Sequence, residues 1–216
     1  MVNVTKEVRN RATFEEIFGP IKRIGAANNA FRQCRMPGEN YYTPKMEATP
    51  RMFGARLYTT GFHPATADGT EVEDWGAVAE AVTFARALAL VLKGVVITSD
   101  TDCPYYPFVF PQKLNGASIA KHVHSGLLCK TKSVKDFKVE KAKNPEWFFW
   151  DNDDEPDDYY SSKDVVRCKK AAALLKALSS PVKVTMPDSF ITYPIFLGGV
   201  TNSGLFAGVC GIRVDT

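Results

Sequence analysis

The stretch from Trp75 to Lys93 limits the fold more than any other part of the chain. Trp75, Val78, Val82, Ala85, Ala89 and Leu92 recur at helical spacing, and Phe84, Leu88 and Val91 widen the apolar surface. A helix apolar over so much of its circumference is expected at the centre of a core. Thr70-x-x-Glu73, or Asp74, supplies its start signal and Gly94 its stop. A bilayer span here would have to bury Glu80, Arg86 and Lys93, so no membrane partner is expected.

The rest of the chain gives weaker signals around that helix. Thr13-x-x-Glu16 is a capping box, followed by an apolar stripe through Phe14, Ile17, Ile21, Ile24 and Phe31 that Gly19-Pro20 interrupts. Arg51 to Thr60 is expected to be a strand, and Val95 to Thr98 a buried one. Residues 103–118 are rich in aromatics and proline and show no period. Ser161-x-x-Asp164 opens another helix, with Val165, Cys168, Ala172 and Leu175 on its apolar side, running to about Leu178.

The C-terminal part reads as strands: Val182 to Thr185, Phe190 to Leu197 and Leu205 to Val214, with a turn at Thr201–Gly204. Pro194 is expected to put its strand at an edge or a bulge. Helices and strands that do not alternate strictly indicate an α+β fold: about three main helices on a mostly antiparallel sheet, with a β-rich C-terminal hairpin. The 216 residues are expected to form a single compact domain, with a subdivision at most near residues 146–160.

Charge is unevenly spread. The net charge is only +3, too near balance to imply a polyanionic partner by itself. Residues 113–145 carry net +6, and the next segment, EWFFWDNDDEPDDYY at 146–160, carries net −7. Lys121, Lys130, Lys132, Lys135 and Lys138 of the first block, with Lys163, Arg167 and Lys170 of the helix after it, are candidate contacts to nucleic acid or another anion. No RNP1-type, KH-type or zinc-finger pattern accompanies them, so binding is expected to follow the phosphate backbone without sequence specificity. Trp147, Phe148, Phe149 and Trp150 would put apolar area on both sides of a strand, which normally means core; with one side exposed they are a candidate interface, where aromatic area rimmed by acidic residues could dock a partner or a second copy.

Two metal readings stand as alternatives. Asp100-x-Asp102 follows the apolar run VVIT, where paired carboxylates can share a divalent ion that holds substrate phosphates. This resembles the D-x-D pattern of nucleotide-sugar glycosyltransferases over about eight residues, which implies Mg²⁺ or Mn²⁺. His122-x-His124 would face one side if it lay on a strand, and with Cys129 or Cys103 could hold Zn²⁺. Five scattered cysteines without C-x-x-C suggest reduced thiols, and no G-x-S-x-G or cysteine-hydrolase pattern occurs. Pro156 rules out an EF-hand starting at Asp151.

The expectation from sequence is therefore a non-catalytic binding or assembly protein that self-associates and contacts nucleic acid. A virus- or phage-type structural subunit would have this style, which places it in the cytoplasm or a virion-like particle; the charged N-terminus lacks a signal peptide's apolar centre. No cofactor is needed in that case. The alternative is a divalent-metal-dependent enzyme acting on a phosphate-bearing or nucleotide-sugar substrate through Asp100 and Asp102.

Overall fold

The computed structural model describes residues 74–97, 102–126, 137–150, 159–185 and 192–214. The expected helix from Thr13 and the expected strand Arg51 to Thr60 lie outside the described residues.

Helix α1 spans Trp75–Val91. Asp74 caps it: the carboxylate accepts the Ala77 N–H at 3.0 Å and pairs with Lys113 Nζ at 3.2 Å. Gly94, at φ 89°, takes the left-handed conformation that ends the helix. Its buried stripe is Ala77, Val78, Ala81, Val82, Ala85 and Leu88, continued by Leu92. The opposite side carries Glu80, Thr83 and Arg86, and Leu90 is 71% exposed. The helix is therefore not encased, as its composition suggested, but lies on one face of a sheet. Three of its buried positions are alanines, small enough to let the helix approach the sheet closely, which a count of apolar residues does not reveal.

Strand β1 (Val96–Ile97) pairs antiparallel with β2 (Cys103–Pro104), so the strand expected at Val95 to Thr98 belongs to a two-stranded ribbon. Among the described residues the main sheet has five strands: β3 (Tyr106–Lys113), β4 (Lys138–Lys141), β5 (Ser179–Thr185), β6 (Thr192–Val200) and β7 (Leu205–Val214). Their spatial order is β3-β7-β6-β5-β4 and every neighbouring pair is antiparallel. Helix α2 (Ile119–Gly126) follows β3, and a 3-10 turn (Pro145–Phe148) and helix α3 (Ser162–Lys176) separate β4 from β5. Among the described residues, three helices on an antiparallel sheet make this an α+β fold.

The C-terminal hairpin forms as its sequence indicates. β6 and β7 pair from Thr192↔Val214 to Val200↔Phe206, joined by Thr201–Gly204, where Gly204 sits at φ 83°. At mid-sheet Gly198 faces Gly208, and the Phe108 ring lies over Gly198, where a Cβ would come within 3.0 Å of the ring. Strand β6 is interior, lying between β5 and β7, so the edge position expected for it from Pro194 is corrected. The proline is tolerated because it sits opposite Ile212 of β7, past the last described β5 pairing at Val184↔Phe196.

Alternation along the strands separates two apolar faces. Phe108, Phe110, Phe196 and Phe206 cluster on one; Phe108 lies 5.0 Å from Phe206 and 5.1 Å from Phe196 between ring centroids. Helix α2 sits on this face, with His122 5.5 Å from Phe110. On the other face Val109, Leu205 and Ala207 pack with the buried stripe of α1. Helix α3 lies beside α1 on that second face, and Leu178, just past its end, is set against Gly199.

Candidate anion-binding face

Among the described residues, the clearest concentration of unpaired charge is on α3. Ser161 and Asp164 form the capping box expected there: the Ser161 hydroxyl accepts the Asp164 N–H at 3.3 Å, and the Asp164 carboxylate accepts the Ser161 N–H at 3.3 Å. The Ser161 hydroxyl, then its N–H, and Arg167 hold the Asp164 carboxyl below the usual carboxylate range. Cys168, Ala171, Ala172 and Leu175 form the buried stripe, and burial pushes the Cys168 thiol up to about 12. That thiol stays protonated and unreactive at neutral pH.

The outer side of α3 carries Lys163, Lys169, Lys170 and Lys176, all exposed, around Val166, which is 51% exposed. None of the four lysines is ion-paired among the described residues. Asp164 is the one carboxylate of the helix, and it is committed to the cap and to Arg167 Nη1 at 3.2 Å. Lys163, Arg167 and Lys170 follow one another at helical spacing and so form a row. Arg167 extends that row to the end of α1: a Cβ at Gly94 would lie 3.2 Å from its Nη1, and the exposed Lys93 adjoins that glycine.

Of the basic residues proposed from sequence, Lys163, Arg167 and Lys170 thus come together. Lys121 is exposed on α2, over the opposite face of the sheet. Lys138 is on β4 and pairs with Glu140 at 2.8 Å. Lys130, Lys132 and Lys135 lie outside the described residues. Lys93 and Lys176 escaped sequence reasoning; both stand in the last turn of a helix or just beyond it, where basic residues favour the helix dipole, and that position was the available signal.

The aromatic segment is mostly core and not the exposed interface considered as its alternative. Phe148, Phe149 and Trp150 are buried, and only Trp147, at 37% exposure, reaches the surface. Asn144 and Pro145 start a 3-10 turn instead of a strand, which turns the rings inward. Trp150 packs edge-on to Tyr160 at 5.3 Å, and the Tyr160 hydroxyl donates to the Val96 carbonyl at 3.4 Å. With Lys183 and Arg213 these rings surround a void of about 20 Å³, room for about one water.

The histidine pair also changes character. His122 and His124 are on helix α2 and not on a strand, so positions two apart diverge by about 200° around the axis. His122 is buried against Phe110, its Nε2 has no hydrogen-bond partner among the described residues, and burial holds its pKa below the usual value. His124 stacks edge-on to Phe137 at 5.8 Å. Cys103 is half-buried in β2, and Cys129 lies outside the described residues. Asp102 is exposed just before β2, and Asp100 lies outside the described residues. Among the described residues no three His, Cys, Asp or Glu side chains gather as a metal site would require.

No protein-family model matches the chain and no curated protein is similar to it. Function is accordingly argued from the chemistry of the site.

Proposed function

We propose that the protein is a binding protein that holds the phosphate backbone of nucleic acid against the outer face of α3. The observation that supports this is the run of exposed lysines at 163, 169, 170 and 176, without an ion-pair partner among the described residues, extended by Arg167 and Lys93. Like charges crowded on one helix repel one another, and a polyanion relieves that repulsion while releasing its own counterions. Lysines contact phosphates as point charges and carry no base code, so such binding is sequence-tolerant. It suits a coating or packaging subunit, the assembly role expected from the sequence.

The test is a filter or anisotropy titration of the full chain with a random-sequence duplex from low to physiological salt. Binding should weaken steeply with salt, with a log–log slope of about −0.9 per phosphate neutralised. Absence of retention at low salt would overturn the proposal. Light scattering on the same samples reports whether copies associate when bound.

A further inference from the structure

Beside α1, a groove of about 530 Å³ runs between the C-terminal half of the helix and the start of β3. Its floor and walls are Leu90, Pro104, Tyr105 and Pro107, and Arg86 and Lys93 stand on its rim. Three observations set it apart. Leu90 is 71% exposed, the most exposed aliphatic side chain among the large apolar residues of the described structure. Arg86 and Lys93 are exposed and make no ion pair among the described residues. Tyr105 is braced on its far side, edge-on to Phe149 at 6.1 Å and 74°, so the groove wall is fixed before anything binds.

We infer that this groove is a base-binding subsite for single-stranded nucleic acid. The inference rests on the reading of α3 as a phosphate-binding face, and it names the strand form which the whole surface prefers. Arg86 is on α1 and Lys93 lies two residues past its end, seven positions on in sequence, so the two cations are placed to meet different phosphates of a strand instead of clasping one. Between them lies apolar wall and not a third charge, and a flexible strand can place an unstacked base there. Duplex bases are stacked and paired inside the helix and cannot reach it. Charge on the rim with an apolar, partly aromatic platform between is the combination that holds single strands without sequence readout. Lys93 also adjoins the Gly94 turn that touches Arg167, so a strand leaving the groove arrives at the lysine row of α3.

The experiment compares three labelled oligomers of equal length with the full chain: a mixed-sequence single strand, its duplex, and an abasic sugar-phosphate strand. Leu90→Glu and the triple variant Lys163→Gln/Lys169→Gln/Lys170→Gln are measured beside the parent. Both change exposed side chains, and thermal melting shows whether each remains folded; Leu90→Gln replaces Leu90→Glu if it does not. The single strand should bind the parent about tenfold more tightly than the abasic strand. Leu90→Glu should remove that margin while leaving duplex affinity within about twofold. Equal binding of single and abasic strands, or equal loss for all three oligomers in Leu90→Glu, overturns the subsite and leaves the α3 proposal standing. Duplex binding untouched by the triple variant, with the Leu90→Glu effect intact, overturns the α3 proposal and leaves the groove. No binding to any oligomer overturns both.

Discussion

Helices α1 and α3 lie side by side on the same face of the sheet and start in the same way, on a capping side chain that accepts an N–H of the first turn. They spend their surfaces differently. α1 buries six side chains along its length and keeps few charges, whereas α3 buries four and lines its outer side with lysines. The contrast separates two jobs that one helix rarely does well. A close-packed stripe fixes the fold and tolerates little change; an exposed charged face adds little to folding and is open to a partner.

The strongest way to break this contrast is in the packed stripe of α1. Leu88→Ala removes a fully buried side chain, and should cost about 2–5 kcal/mol in a urea or thermal melt. A loss below about 1 kcal/mol would show that α1 is not a packing element. The caps should rank next and should be equal between the helices: Asp74→Ala and Ser161→Ala are each expected to lower the melting temperature by similar amounts, less than Leu88→Ala does, by the same measurement. A much larger effect at Asp74 would point to its partner Lys113 as the main contribution.

Lowering pH probes the same caps. In Asp74 the Ala77 N–H and then Lys113 hold the carboxyl below 3.8, and in Asp164 the Ser161 hydroxyl leads. Both native values lie below the unfolded one, so their support is complete above about pH 4 and is lost as pH falls through the native values. Asp74→Asn and Asp164→Asn should each flatten the acid limb of the melting-temperature profile; an unchanged limb would mean that other groups set it.

How much of this could be read beforehand depended on local signals. Ser161-x-x-Asp164 fixed the start of α3 because a capping box satisfies two backbone groups with residues close in sequence. The hairpin was visible in its turn residues, Thr201 to Gly204. Strand β3 was not: it stands at the edge of the sheet among the described residues and contains Pro107 and Pro111, and its consecutive Pro107–Phe110 are all buried, so no polar–apolar alternation marks it. Helix α2 was hidden by its eight-residue length, although Ser118, whose hydroxyl accepts the Lys121 N–H at 3.3 Å, gave a start signal. The α3 lysines of the candidate site were legible as a charge pattern. Their junction with Lys93 was not, because it depends on Arg167 meeting a turn more than 70 positions away in sequence.

The smallest expected effect on stability is on the outer side of α3, and there the contrast is tested most directly. In Lys163→Gln/Lys169→Gln/Lys170→Gln the melting transition should move by less than about 0.5 kcal/mol per site, because exposed residues without ion-pair partners contribute little to folding. The log–log salt slope of duplex binding should flatten by about 2 to 3 in the same protein. A variant that melts like the parent and loses that salt dependence is the predicted result; one that keeps the parental slope contradicts the role given to α3.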